Sequence, residues 1–270
     1  MRQFGNIDRR ILYVLLAVVL VGPLVKPIGL PISIGDYTEK VYSEIEKLSP
    51  GDTVVLDIGY GPGSKAELES QAVSIVKHLN KKGARIIGIS FKPEGPMIAD
   101  NVFRIYEAAG KVYGEDYCNL GHLAGGETAM GVFIRDPQKA CPTDFYGNSS
   151  AGLPILDGIE SGKDIQLLIY FSDSVTAEWI RQAGPLGVPI IGGVITVLGP
   201  AQEAFVQSGQ LMGLLVGMRS GAEYELKIQE PGLAVAAMDA QSLGHLLFIT
   251  FIILGNVAYI IEKRSRGQVQ

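Results

Sequence analysis

Thr53-Val54-Val55-Leu56-Asp57-Ile58, followed at once by Gly59-Tyr60-Gly61-Pro62-Gly63-Ser64, is the stretch on which the fold turns. A short, nearly continuous apolar run stopped by glycines reads as a strand buried on both faces. Ser64-Lys65-Ala66-Glu67 then has the spacing of a capping box, in which serine and glutamate side chains satisfy orphan amides at a helix start. Ala72, Ile75, Val76 and Leu79 share one helical face. Lys81-Lys82-Gly83 gives that helix a basic last turn and a glycine stop.

Outward from this unit the pattern repeats. Arg85 to Phe91 predicts a second strand, and Ile98 to Ala109 a second helix with Val102, Ile105 and Tyr106 facing inward. Lys111-Val112-Tyr113 reads as the opening of a third strand. Gln166 to Phe171 and Val188 to Val194 are further strands, separated by a helix from Val175 to Gln182. A long helix is expected from Pro200 to Arg219, with Ala204, Phe205, Leu211, Met212 and Leu215 on one stripe. Strand–helix alternation of this kind implies a mainly parallel sheet with right-handed crossovers, an α/β Rossmann-like three-layer sandwich. Residues 116–162, rich in Gly, Asn, Ser and Pro, show no clear period and are expected to form an excursion over the sheet's carboxyl edge.

The 270 residues are 47% apolar and only 19% charged, with a mean hydropathy of +0.24. That composition excludes intrinsic disorder, a collagen-like repeat and a disulfide-dense miniprotein. The balance of 23 basic and 28 acidic residues, net −5, argues against a nucleic-acid partner. The excess apolar residues sit at the ends. Ile11 to Val25 carries no charge, and no small-x-small cleavage site follows it. Pro23, Pro27 and Pro31 occupy that place, so an uncleaved anchor is expected. Leu246 to Ile261 is apolar apart from Thr250 and Asn256, extends upstream to Leu243, and is stopped by Glu262-Lys263-Arg264-Ser265-Arg266. Two transmembrane helices are therefore expected.

Arg2, Arg9 and Arg10 precede the first span, and Lys263, Arg264 and Arg266 follow the second. They outnumber Lys26 and Lys40 on the inner flanks, which by the positive-inside tendency places both tails in the cytoplasm. The resulting plan is a cytoplasmic tail and anchor over 1–34, an extracytoplasmic α/β domain over 35–230, a second helix over 231–262 and a basic cytoplasmic tail over 263–270.

Ligands of open α/β sheets gather at the carboxyl ends of strands. The candidates there are Asp57, Tyr60, Gly61, Gly63 and Ser64 after the first strand, and Ser172 after the Gln166–Phe171 strand. Amides of a glycine-rich turn at a helix start can cradle a phosphate or carboxylate. Turn geometry alone also asks for glycine, and the loop has neither the GxGxxG spacing nor a GK[ST] ending. Cys118 and His122, four apart, have residue types that fit a metal or a nucleophilic pair, but no second cluster supports them. No catalytic residue, metal site or cofactor is assigned. In an oxidising compartment Cys118 and Cys141 are candidates for a disulfide, with a stabilisation of about 3 kcal/mol, the alternative being free buried thiols. Asn148-Ser149-Ser150 matches a glycosylation sequon. Asp239, His245 and Asn256 are polar groups of the second span, read as helix–helix contacts. Gly209, Gly213, Gly217 and Gly221 recur every four residues, which on one helix clears a face for close packing against the sheet or another subunit.

The segment Val206 to Leu215 (VQSGQLMGLL), with Arg219-Ser220-Gly221-Ala222-Glu223-Tyr224-Glu225 after it, resembles a motif of uncharacterised prokaryotic membrane-anchored proteins. That resemblance implies a membrane setting and no activity. Val54 to Ile58 with its glycines and helix is similar to the first strand unit of membrane-bound peptidases of the signal peptide peptidase and Clp–crotonase type. Their nucleophilic serine follows the next strand, where this chain has Lys92-Pro93-Glu94-Gly95-Pro96-Met97. The resemblance thus extends to the fold and not to the nucleophile.

The expectation is a non-enzymatic protein in the lipid bilayer, a self-assembling scaffold or partner-binding domain that forms homo-oligomers or joins other membrane proteins. The glycine stripe and Glu223-Tyr224-Glu225 are expected to carry its contacts. The alternative is an extracytoplasmic small-ligand-binding or hydrolase-like domain that uses the strand-end loops.

Overall fold

Alternating apolar runs and amphipathic segments give, in a computed structural model that describes residues 8–174 and 177–267, a regular succession of strands and helices. In chain order these are α1 (Arg9–Val25), α2 (Asp36–Glu46), β1 (Thr53–Gly59), α3 (Lys65–Lys82), β2 (Arg85–Ser90), α4 (Gly95–Ala108), β3 (Tyr117–His122), α5 (Gly126–Arg135) and α6 (Pro137–Ala140). They continue with β4 (Leu167–Ser172), α7 (Glu178–Ala183), β5 (Ile190–Val194), α8 (Gly199–Gln207), β6 (Gly213–Val216), α9 (Gly217–Lys227) and α10 (Leu233–Gly267). Ile32–Glu230 is one compact unit, and the described residues up to Pro31 and from Pro231 onward form another.

In the larger unit the six strands make one sheet in the order β3-β2-β1-β4-β5-β6, with every neighbouring pair parallel. Alternation along β1 explains the layers. Val54, Leu56 and Ile58 point to one face, where Val41 and Ile45 of α2, Leu68 to Leu79 of α3, Val102 and Tyr106 of α4 and Tyr224 of α9 cover them. Val55 points to the other, under Phe133 of α5, Trp179 of α7 and Val206 of α8. This is the three-layer α/β sandwich read from the sequence. It explains why β1 lacks a polar face: both its sides are interior.

Three local expectations are corrected. The third strand is Tyr117–His122 and not Lys111-Val112-Tyr113, which forms a turn whose Val112 amide donates to the Asp116 carboxylate at 2.8 Å. The 116–162 excursion contains β3, α5 and α6. Its 143–149 loop is organised by the buried Asp144 carboxylate, which accepts from the Tyr146 and Asn148 amides at 2.9 and 2.7 Å and from the Tyr113 hydroxyl at 2.9 Å.

The third correction concerns the long helix from Pro200 to Arg219, which is in fact α8, a turn, the edge strand β6 and the start of α9. Gly209 lies in the turn, Gly213 in the strand, Gly217 at the helix start and Gly221 inside α9, so the four glycines share no helical face. Gly213 has its own reason: a Cβ there would stand 2.7 Å from the Val41 backbone nitrogen, because α2 lies directly against β6.

In the smaller unit α1 and α10 pack antiparallel. Gly244 of α10 faces Leu20 of α1, where an added Cβ would meet the leucine at 3.2 Å. Further along, the fully buried Asp239 carboxylate accepts from the backbone amides of Ile28, Gly29 and Leu30 at 2.7, 2.8 and 2.9 Å. The proline-spaced exit from α1 is thereby clamped onto the first turns of α10. Among the described residues one helix is long and apolar enough to cross a membrane, the 29 residues Leu233–Ile261, of whose most apolar window only 6% is buried. Two such helices were expected, and among the described residues one is found. α1, at 17 residues, rises about 25 Å and falls short of the roughly 30 Å hydrocarbon core.

Candidate functional site

Strand order reverses between β1 and β4, and the crevice outside their carboxyl ends is where a doubly wound sheet holds ligands. The loops meeting there are Tyr60 to Ser64 after β1, Phe91 to Glu94 after β2 and Asp173-Ser174 after β4.

The centre of this edge is Asp173. Its Oδ2 accepts from the Gly61 amide at 3.2 Å and from the Ser64 hydroxyl at 2.9 Å, and its Oδ1 ion-pairs with the Lys92 ammonium. Burial acts to raise the Asp173 carboxyl, but Lys92, the Gly61 amide and the Ser64 hydroxyl outweigh it and hold the group below its usual value. The glycine-rich turn thus holds the chain's own carboxylate, through the Gly61 amide and the Ser64 hydroxyl. Ser64 is drawn into this contact and makes no capping bond to α3. Glu67, the other half of the expected capping box, instead accepts from the Thr196 amide at 2.8 Å and from its hydroxyl. The capping box is thus replaced by three bonds that tie the start of α3 to the β4 and β5 loops.

The remaining expected ligand residues separate by depth. Gly61 and Ser64 line the crevice, and Gly63 is exposed beside it. Ser172 is buried and turned onto its own loop, donating to the Ser174 carbonyl at 3.1 Å. Tyr60 is fully buried in the core under α3, its hydroxyl without a partner among the described residues, so it does not reach the crevice. Asp57 sits one layer below the edge on the α7 side, 4% exposed, where the Trp179 indole donates to Oδ2 at 2.7 Å. Oδ1 has no hydrogen-bond partner among the described residues. Burial pushes this carboxyl up to about 7, against the pull of the Trp179 indole, the Phe91 amide and the Lys92 charge. Gly59 allows this crowding, since a Cβ there would come within 2.9 Å of the Phe171 carbonyl of β4.

Lys92 and Asp173 are legible in the sequence as residues at strand carboxyl ends, in Lys92-Pro93-Glu94 and Ser172-Asp173-Ser174, but were not among the assigned ligand residues. Trp179 acts across the fold and leaves no local signal.

Other candidates resolve as structural groups. Cys118 and Cys141 are free, buried thiols, which corrects the candidate disulfide. Burial pushes Cys141 up to about 11 and Cys118 further, so both stay protonated and pack as small hydrophobes. His122 is exposed at the end of β3 while Cys118 is interior, and no cluster of metal ligands occurs among the described residues. Asn148 of the sequon is exposed, with its side-chain amide on Asp144 at 3.2 Å.

The expected assembly triplet also turns inward. Glu223 accepts from the Gly35 amide at 3.0 Å and the Thr38 hydroxyl at 2.7 Å, and the Tyr224 hydroxyl meets His78 Nδ1 at 2.7 Å. Glu225 is buried as well. These three side chains fasten α9 inside the domain and present no outer surface. In the second span, Asp239 makes the contact with the α1 exit described above, whereas Asn256 donates to the Ile252 carbonyl of its own helix at 2.8 Å, and His245 is exposed. The chain matches no protein-family model and no curated protein.

Proposed function

We propose that the chain is a membrane-anchored α/β domain that acts as a scaffold or partner-binding protein, assembling with copies of itself or with other membrane proteins. The observation that carries the reading is the closed switch-point crevice. Its anion cradle is filled by Asp173 and its cation by Lys92, so the edge that serves ligands in doubly wound sheets is spent on holding three loops together. Both α1 and α10 cross the bilayer in this reading. The shorter α1 is accommodated by Arg9, Arg10 and Lys26 reaching for the interfaces and by its pairing with α10. Their antiparallel packing brings both tails to one side, and the excess of basic residues in those tails makes it the cytoplasmic side. The α/β domain is then extracytoplasmic. With the glycine series split among a turn, a strand and a helix and Glu223-Tyr224-Glu225 facing inward, the contacts between copies fall to the outward face of α10, where Leu246, Phe248, Ile249, Ile252 and Ile253 are exposed.

One observation favours a second reading, a small-ligand-binding domain: the buried Asp57 carboxyl, with one oxygen unpartnered, lies directly beneath the crevice. Native mass spectrometry of the full chain released from detergent separates the two. A defined oligomer without a bound small molecule is the expected result. A uniform monomer would contradict assembly, and a retained small molecule would favour the second reading.

A further inference from the structure

Away from the switch point, at the β3 edge of the sheet, lies a cleft of about 370 Å³ lined by Asp100, Phe103, Arg104, Glu107, Tyr117 and Tyr146. Its size lies within the range of small-molecule sites. Tyr117 forms its base. The ring is held by Tyr113, Tyr106 and Phe103, with centroids 5.4, 5.7 and 5.9 Å away, and only 9% of the residue is exposed. The residue lines the cleft, and its hydroxyl has no hydrogen-bond partner among the described residues. A polar group fixed by packing and left unpaired at the base of a cavity asks for a ligand atom.

The charges around it define that ligand. Two carboxylates, Asp100 and Glu107, face one guanidinium, Arg104. Asp100 accepts the Tyr146 hydroxyl, which holds the half-exposed Tyr146 ring over the cleft. Glu107 has no ion-pair partner among the described residues. Burial raises the Tyr117 hydroxyl, and the Glu107 and Asp100 charges raise it further. With two carboxylates to one guanidinium, the lining carries a net negative charge beside the aromatic residues Tyr117 and Tyr146.

We propose that this cleft binds a small organic cation, a primary ammonium on a short alkyl chain. Its N–H groups donate to the Tyr117 hydroxyl and the Glu107 carboxylate, and its charge and methylenes lie against the exposed ring of Tyr146. Carboxylates with aromatic faces are the chemistry that selects cations, because ring quadrupole and counter-charge act in the same direction. The same ammonium is available from a free alkylamine or from a lysine side chain of a partner protein. The site is independent of the assembly reading, since it lies wholly within the α/β domain.

The test is calorimetric titration of the full chain in detergent with n-butylammonium chloride, with sodium butanoate and Nα-acetyl-lysine amide as parallel ligands. One saturable site for n-butylammonium is expected. Glu107→Gln is expected to weaken it about tenfold and Tyr117→Phe about threefold, with unchanged thermal melting. Tighter binding of the lysine amide would assign the source as a partner's lysine, and weaker binding a free amine. Absence of saturation, a Glu107→Gln protein that binds like the parent, or a site that takes butanoate instead would each overturn the proposal.

Discussion

At Asp57 a carboxyl occupies the position where the alternation of β1 calls for an apolar side chain against α7. The consequence is a group whose proton is held more tightly in the folded chain than in the unfolded one, at about 7 against an ordinary 3.8. A carboxyl raised in this way favours the folded state most at acid pH, and that contribution is lost as pH rises through 7. Asp57→Asn keeps an acceptor for Trp179 and removes the titration. The variant is expected to gain stability over the parent progressively from pH 4 to 8, by up to about 4 kcal/mol, read from denaturant unfolding at several pH values. A constant difference across that range would show that the carboxyl does not titrate in the core. This residue was legible as a strand-end candidate. That it is roofed over was not, because Trp179 comes from a helix more than a hundred residues later in the chain.

At the scale of elements, β1, α3, β2, β4 and β5 were readable because each carries its own period: short apolar runs for interior strands, and a three-to-four-residue repeat for α3. Residues 200–219 were misread for a physical reason. Leu211 and Leu215 sit four apart, as on a helix face, yet the four residues of β6 are too few to display the alternation of a strand. Gly213→Ala tests that packing. A methyl group pushed against the Val41 backbone is expected to cost about 1–3 kcal/mol in unfolding free energy, whereas a neutral effect would remove α2 from the β6 edge. In the smaller unit, Asp239→Ala deprives three amides of their acceptor. Hydrogen exchange at Ile28, Gly29 and Leu30 is expected to accelerate about tenfold or more, and unchanged protection would mean that the clamp does not form.

Over the whole molecule, the α/β class and the apolar ends were legible, since composition and periodicity are sums over many residues and tolerate local errors. The loop-to-loop contacts that fill the crevice were not. Asp173, Lys92 and Ser64 come from three separate turns, and only the parallel strand order brings them together. The same holds for Glu223 and Tyr224, whose partners Gly35, Thr38 and His78 lie far away in sequence. The proposed function depends on a placement that is itself a proposal, with α1 and α10 in lipid and the α/β domain on the outer side. Protease added to spheroplasts of a bacterial expression host, with an epitope tag on each terminus, addresses this directly. Expected is digestion of residues 32–230 from outside, with both tags protected until the membrane is opened. A central domain that survives until lysis, or a chain released from membranes by alkaline carbonate, would contradict it.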